Sequence, residues 1–231
     1  MKHLIALIAV ALAMPALAQP PRPAADVARD SVRHPTEMLA FAKITKGIKV
    51  ADLLPGGGYF TRLFSEAVGS GSVVAIVPVQ SAQLHPADAK AIADLAANKD
   101  YGNITVVGTA AEIAPASLDV FWTAQNYHDV HAFQPPEAVV AFNRQVFAAL
   151  KPGGYFVVVD HAAVPGTNTT VAKTLHRIEP SVVKAEVTAI GFVFDGETSI
   201  LANPADPRTA VVFDPAIRGR TDQFAYRFRK P

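Results

Sequence analysis

Val50-Ala-Asp-Leu-Leu-Pro-Gly-Gly-Gly-Tyr-Phe60 is an apolar run that enters three consecutive glycines and leaves them on a helical pattern. Beyond the glycines, Phe60, Leu63, Phe64, Ala67 and Val68 follow the i, i+3, i+4, i+7, i+8 spacing of one helix face, and Gly69 closes the pattern. The stretch therefore reads as strand, tight turn, helix. Glycines in such a turn let backbone N–H groups approach a ligand closely, and the helix N-terminus behind them favours a negatively charged group. A tight strand-to-helix connection also needs glycine for steric reasons alone, so the turn supports a structural reading as well as a binding one.

The same alternation continues on both sides. Strands are predicted at 48–53, 72–77, 104–107, 118–123 and 155–160, with helices at 59–68, 86–97 and 136–150 between them and a turn at Lys151-Pro-Gly-Gly154. The run 155–160 is almost wholly apolar, as expected of a strand covered on both faces of a parallel sheet. Five such units predict a doubly wound α/β sheet with right-handed crossovers. Residues 26–33 and 35–43 form a broken helical region ahead of it, with Pro35 placed to open a helix. After a helix at 180–190, the runs 192–200 and 223–229 have no helix between them. In the second, Phe224, Tyr226 and Phe228 alternate with Ala225, Arg227 and Arg229. Two strands joined without a crossover pair antiparallel, so one reversed strand is expected near the sheet edge. Their connection, 201–222, is long and rich in Pro, Asp and Arg, either a lid over a site or surface elaboration.

The first residues bear on compartment. Met1-Lys2-His3 precedes an unbroken apolar run over 4–14, then Pro15 and the small-x-small pattern Ala16-Leu17-Ala18. This predicts a signal peptide over 1–18, a mature N-terminus at Gln19, and a single exported, periplasmic domain over 19–231. The run is too short to anchor the chain in a bilayer; the alternative is a buried N-terminal helix. Charge is balanced, 21 Lys and Arg against 20 Asp and Glu, which argues against nucleic acid or an anionic membrane as partner and leaves a small molecule. With no cysteine, disulfides, thiolate metal ligands and a thiol nucleophile are excluded.

Asp52-x-x-x-Gly56-x-Gly58 resembles the nucleotide motif of the class I S-adenosylmethionine (SAM)-dependent methyltransferases. Leu150-Lys-Pro-Gly-Gly154 is similar to the start of that family's fifth strand, and a final antiparallel strand matches its seven-stranded, Rossmann-like sheet. Asn126-Tyr-His-Asp129, Val159-Asp-His-Ala162, Thr174-Leu-His-Arg-Ile178 and Asp214-Pro-Ala-Ile-Arg-Gly219 resemble an exported bacterial group of predicted methyltransferases. The resemblance implies SAM as cofactor, lying across the carboxyl ends of the strands, with Asp52, Leu54, Pro55, Gly56, Gly57 and Gly58 around its methionine part and Gln80, Thr109 and Asn126 further along. Three positions depart from the family pattern. Leu54 stands where another glycine is usual. Val77 replaces the acidic residue that holds the ribose, with Gln80 as the polar substitute. Thr109 replaces the acidic residue near the adenine. Each lost hydrogen bond to a charged acceptor weakens binding by about 1.5 to 3 kcal/mol.

Adjacent parallel strands would bring the residues after the fourth and fifth to one crevice. These are Asn126, Tyr127, His128, Asp129 and His131 on one side, Asp160 and His161 on the other. Catalytic roles are expected for His128 as general base, for Tyr127 orienting it, and for Asp129 and His161 beside it; the competing reading is that they close loops and cap a helix. His128, Asp129, His131 and His161 also offer metal ligands, but their spacing matches no metal signature and no metal site is assigned. His176-Arg177, ahead of the helix that Pro180 opens, reads as a surface loop, the alternative being that it reaches back over the crevice. Arg208, Arg218 and Arg220 read as carboxylate ligands or solvated loop residues, and His34 and His85 carry no role. Three functions follow: methyl transfer from SAM to a small molecule, a non-catalytic binding protein that kept the fold, and a metal-dependent hydrolase at the histidines.

Overall fold

The computed structural model describes residues 21–231; the expected signal peptide and its cleavage point before Gln19 lie outside the described residues. Three short helices, α1 (Ala24–Val27), α2 (Asp30–Arg33) and α3 (Pro35–Phe41), come first. They are followed by β1 (Lys49–Leu53), α4 (Tyr59–Val68), β2 (Ser72–Ile76), α5 (Val79–Leu84), α6 (Pro86–Ala97), β3 (Ile104–Val107), β4 (Leu118–Ala124), α7 (Tyr127–Phe133), α8 (Ala138–Ala149) and β5 (Leu150–His161). The chain continues through α9 (Ala172–Leu175), α10 (Pro180–Ala189), β6 (Val193–Thr198) and β7 (Gln223–Arg229).

The strands form one sheet in the order β3-β2-β1-β4-β5-β7-β6. β1 to β5 are parallel, and β7 runs antiparallel to both β5 and β6. The strand predicted to be reversed is thus β7, one in from the edge. The order turns back between β1 and β4, the point at which sheets of this kind open a crevice beyond their strand ends.

Alternating side chains feed two cores, one on each face. Ala51, Leu53, Val74, Ile76, Phe121, Phe156 and Val158 pack with Val139 and Val146 of α8 and Val183 and Val187 of α10. Val50, Val73, Val120, Trp122 and Val157 pack with Met38, Phe60, Leu63 and Phe64 from α3 and α4. Trp122 sits 4.7 Å from Phe60 and 5.4 Å from Phe64 between ring centroids. Burial of each such side chain contributes about 1.5 to 3 kcal/mol, which is why the period-two and period-3.6 patterns are both legible here.

Two expectations change. Lys151-Pro-Gly-Gly154 is no free turn but the bulged start of β5: the register slips between Leu118 and Val120, and Gly153 and Gly154 exchange backbone hydrogen bonds with Lys230. α5 and α7 were not anticipated, because both are short, interrupt their apolar residues with polar ones, and lack a full apolar stripe.

Candidate functional site

The turn after β1 is held in a form that glycine favours. Gly56 and Gly58 have φ of 54° and 85°, and a Cβ on Gly58 would meet Arg62, Ile92 and Leu95 within 3.0–3.3 Å. Leu54, where the family carries glycine, adopts the same left-handed backbone at φ 52°. Its N–H donates to Ile76 O at 3.0 Å, and the Asn126 amide donates to Leu53 O and Leu54 O at 3.3 Å and to Ala124 O at 2.7 Å. Asn126 therefore ties the glycine turn to the end of β4.

A pocket of about 180 Å³ opens under this turn, lined by Asp52, Gly56, Gly57 and Asn126 together with Arg29 and Arg33. Asp52 is buried and accepts a 2.7 Å hydrogen bond from Thr61. Burial pushes its carboxyl up to about 7, against the pull of Thr61 and Arg33. Burial, helped by neighbouring Arg29, lowers Arg33 to about 10, so it remains a cation at neutral pH. Arg33 also stacks 4.7 Å from the ring of Tyr59, whose hydroxyl donates to Asp30 at 2.6 Å. The first helices, which gave no functional signal in the sequence, thus supply both arginines.

Beside this pocket a cleft of about 860 Å³ runs from Leu54, Pro55 and Gly56, past Val77 and Gln80, to His128, Asp129, His161 and His176. Gly58 supports the turn from behind. Thr109 lines neither space: Thr109 and Glu112 form a capping box at the 3-10 turn Ala110–Glu112, which corrects its expected place beside the cofactor.

At the far end of the cleft, Asp160 is fully buried and accepts from the backbone N–H of His128 (2.8 Å) and of His161 (2.7 Å). Its Oδ1 lies 2.7 Å from His128 Nδ1, so that ring nitrogen carries a proton. His128 Nε2 faces His176 Nδ1 at 3.2 Å and Asp129 Oδ1 at 3.1 Å. Burial pulls the His128 imidazole down, but Asp160 and Asp129 outweigh it and raise it to about 10. The expected general base is therefore an imidazolium at neutral pH, an acid rather than a base. His161, whose Nδ1 lies 2.7 Å from the Thr221 hydroxyl, is lowered to about 4, by burial first and then by the charge of His128. His176 is lowered for the same two reasons.

Further expectations are corrected. Tyr127 does not orient His128: it is fully buried, accepting from Asn143 at 2.8 Å and donating to Glu186 at 3.0 Å. His131 also turns to Glu186, at 3.1 Å, away from the histidine cluster. His176-Arg177 is no surface loop. His176 joins the cluster, and Arg177 is buried in a two-pronged pair with Asp206 at 2.9 and 3.2 Å. None of Arg208, Arg218 and Arg220 lines either space; Arg208 pairs with Asp222 at 2.8 Å. The connection 201–222 does cover the site, through Val212 and Phe213 at the cleft wall.

No protein-family model matches the sequence, and neither does any curated protein. Solved structures do resemble the fold. A SAM-dependent methyltransferase from Aquifex aeolicus aligns with a TM-score of 0.59 at 15% identity, over 87% of this chain and 92% of its own. The Burkholderia thailandensis 1,6-didemethyltoxoflavin-N1-methyltransferase, solved with 1,6-didemethyltoxoflavin and S-adenosylhomocysteine, aligns at 0.54 and 15%, over 90% and 81%. A possible exported protein from Bordetella parapertussis aligns at 0.56 and 17%, over 88% and 68%. Strand order, reversed β7 and these likenesses together establish that the chain has the fold of the class I SAM-dependent methyltransferases.

Proposed function

We propose that the protein transfers a methyl group from SAM to a small molecule. The observation that carries this reading is the joined pair of spaces at the sheet's turning point, one charged and one largely apolar. In the small pocket, Asp52 suits the ammonium of an amino-acid head group, and Arg29 and Arg33 suit its carboxylate. The adenosine part extends along Val77, Pro78 and Gln80, and the acceptor sits between the turn and the histidines. Gln80 supplies hydrogen bonding where Val77 has none. His128 and Asp129, with His161, stand at the acceptor end, where His128 acts as a fixed positive group rather than as a free base.

Export of a single domain over 19–231 to the periplasm is part of the same proposal, supported by the leading sequence and the likeness to a possible exported protein. Among the described residues no helix is long and apolar enough to cross a membrane. The test is calorimetry of the full chain with SAM and S-adenosylhomocysteine. One site on each is expected, weakened by Asp52→Asn; no heat at millimolar ligand overturns the proposal.

A further inference from the structure

We propose that His128 Nε2, Asp129 Oδ1 and His176 Nδ1 form a binding site for one divalent first-row transition-metal ion. This goes beyond methyl transfer: it shares His128 and Asp129 with the acceptor end of that reading, and the ion would displace the proton from His128 Nε2 and take over the positive charge there.

The three candidate ligand atoms lie 3.1, 3.2 and 3.6 Å apart. Ligands bound at about 2.1 Å stand about 3.0 Å apart when octahedral neighbours and about 3.4 Å apart when tetrahedral, so one ion can reach all three with little movement. A second observation points to the same ligand. Asp129 Oδ1 is buried and receives no well-aligned hydrogen bond; it faces two imidazole nitrogens, His128 Nε2 at 3.1 Å and His176 Nδ1 at 3.6 Å, which it pairs with when they are protonated. A buried carboxylate oxygen served only by poorly aligned donors is costly, and a cation held by all three atoms lowers that cost.

The support around these atoms suits a metal. The Asp160 carboxylate holds His128 Nδ1–H at 2.7 Å, so an ion that displaces the proton from Nε2 meets a lone pair aimed at the centre of the cluster. Asp160 is itself fixed by two backbone N–H groups. His176 is held in a left-handed backbone, φ 53°, at the end of α9, with its ring between Phe133 (5.9 Å) and Phe213 (4.9 Å). Such backbone strain in a bulky residue persists where its surroundings fix it. Two imidazoles and one carboxylate, without thiolate, select zinc, iron, cobalt, nickel or manganese over calcium and magnesium. The remaining coordination positions face the 860 Å³ cleft, where an oxygen of a bound small molecule can complete the shell.

The sequence did not offer this set. Counting histidines after the fourth and fifth strands grouped His131 and His161 with His128, whereas the fold sends those two to Glu186 and Thr221 and brings His176 across 48 residues of chain.

The test is titration of the full chain, untagged and stripped by chelator, with Co2+, followed by its visible ligand-field absorption and competed with Zn2+. One equivalent is expected to bind. Asp160→Asn should weaken it by about 10- to 100-fold, the usual effect of losing a supporting carboxylate. His176→Asn, which keeps a residue tolerant of the left-handed backbone, should weaken it further while melting as the wild type does. His131→Ala should leave it unchanged. Absence of a stoichiometric site, or a site untouched by His176→Asn, overturns the proposal. SAM calorimetry on the same preparations separates the two readings, since cobalt binding without SAM binding sustains this one alone.

Discussion

Leu54 occupies a backbone state that costs a side chain about 1 to 2 kcal/mol, and its side chain lines both ligand spaces. The usual ranking of substitutions therefore inverts at this position. Leu54→Gly should be more stable than Leu54→Val by about 1 kcal/mol or more, because a β-branched residue tolerates this φ worst. Thermal melts of the two variants check it; equal melting temperatures would show that the turn relaxes without cost. Asp52 gives a second residue-scale outcome. Its folded-state carboxyl is raised from 3.8 to about 7, so its contribution is fully present below about pH 4 and lost as pH rises through 7. Asp52→Asn should remove that loss, so that its melting temperature gains on the wild type between pH 4 and 8. A wild type that instead gains on Asp52→Asn toward alkaline pH, or a difference that does not change with pH, would contradict the assignment. Both residues were conspicuous in the sequence, but only the backbone angle and the burial reveal what each costs.

At the scale of elements, the long connection between β6 and β7 is organised from below. Arg177 joins Asp206, Ala162 O and Ala210 O, and Asp206 in turn accepts from the N–H groups of Arg208 and Asp222. Replacing one member of a buried pair strands the other, at about 3 to 5 kcal/mol. Arg177→Met should show that loss in chemical unfolding, together with faster proteolytic cutting within 201–222. A loss below about 1 kcal/mol would mean that the segment is held by other contacts. The sequence could not separate a lid from decoration here, because the deciding contacts join Arg177 to a carboxylate 29 residues away. For α4 and α6, whose apolar periodicity or starting proline is local, the bounds follow from sequence to the residue. α7 is set by its packing on α8, α9 and β5, while α5 packs chiefly on α6 and buries no residue, and nothing within either announces a helix.

For the whole molecule, sheet and cores were legible because burial on both faces writes continuous apolar runs into β1, β2, β4 and β5. The reversed strand was legible because no helix separates β6 from β7. The site was legible only in part. Its location follows from the turning point between β1 and β4, yet its chemistry depends also on residues of α2 and just after α9, whose place at the site no local pattern reveals, although Thr174-Leu-His-Arg-Ile178 carries a family resemblance. Arg33 and His176 are the instances: one lies in a four-residue helix and the other just after one, too short for any periodicity to mark.

The place of β7 also governs the order in which the molecule can be completed. It lies between β5 and β6 although both precede it along the polypeptide, and its Phe224 and Gln223 stand opposite Asp160 and His161. A chain synthesised from its N-terminus therefore presents β5 and β6 before the strand that lies between them, and Asp160 gains its neighbours on β7 only once residues 223–229 are added. The carboxylate that holds His128 is thus completed by the last strand of the chain to be made.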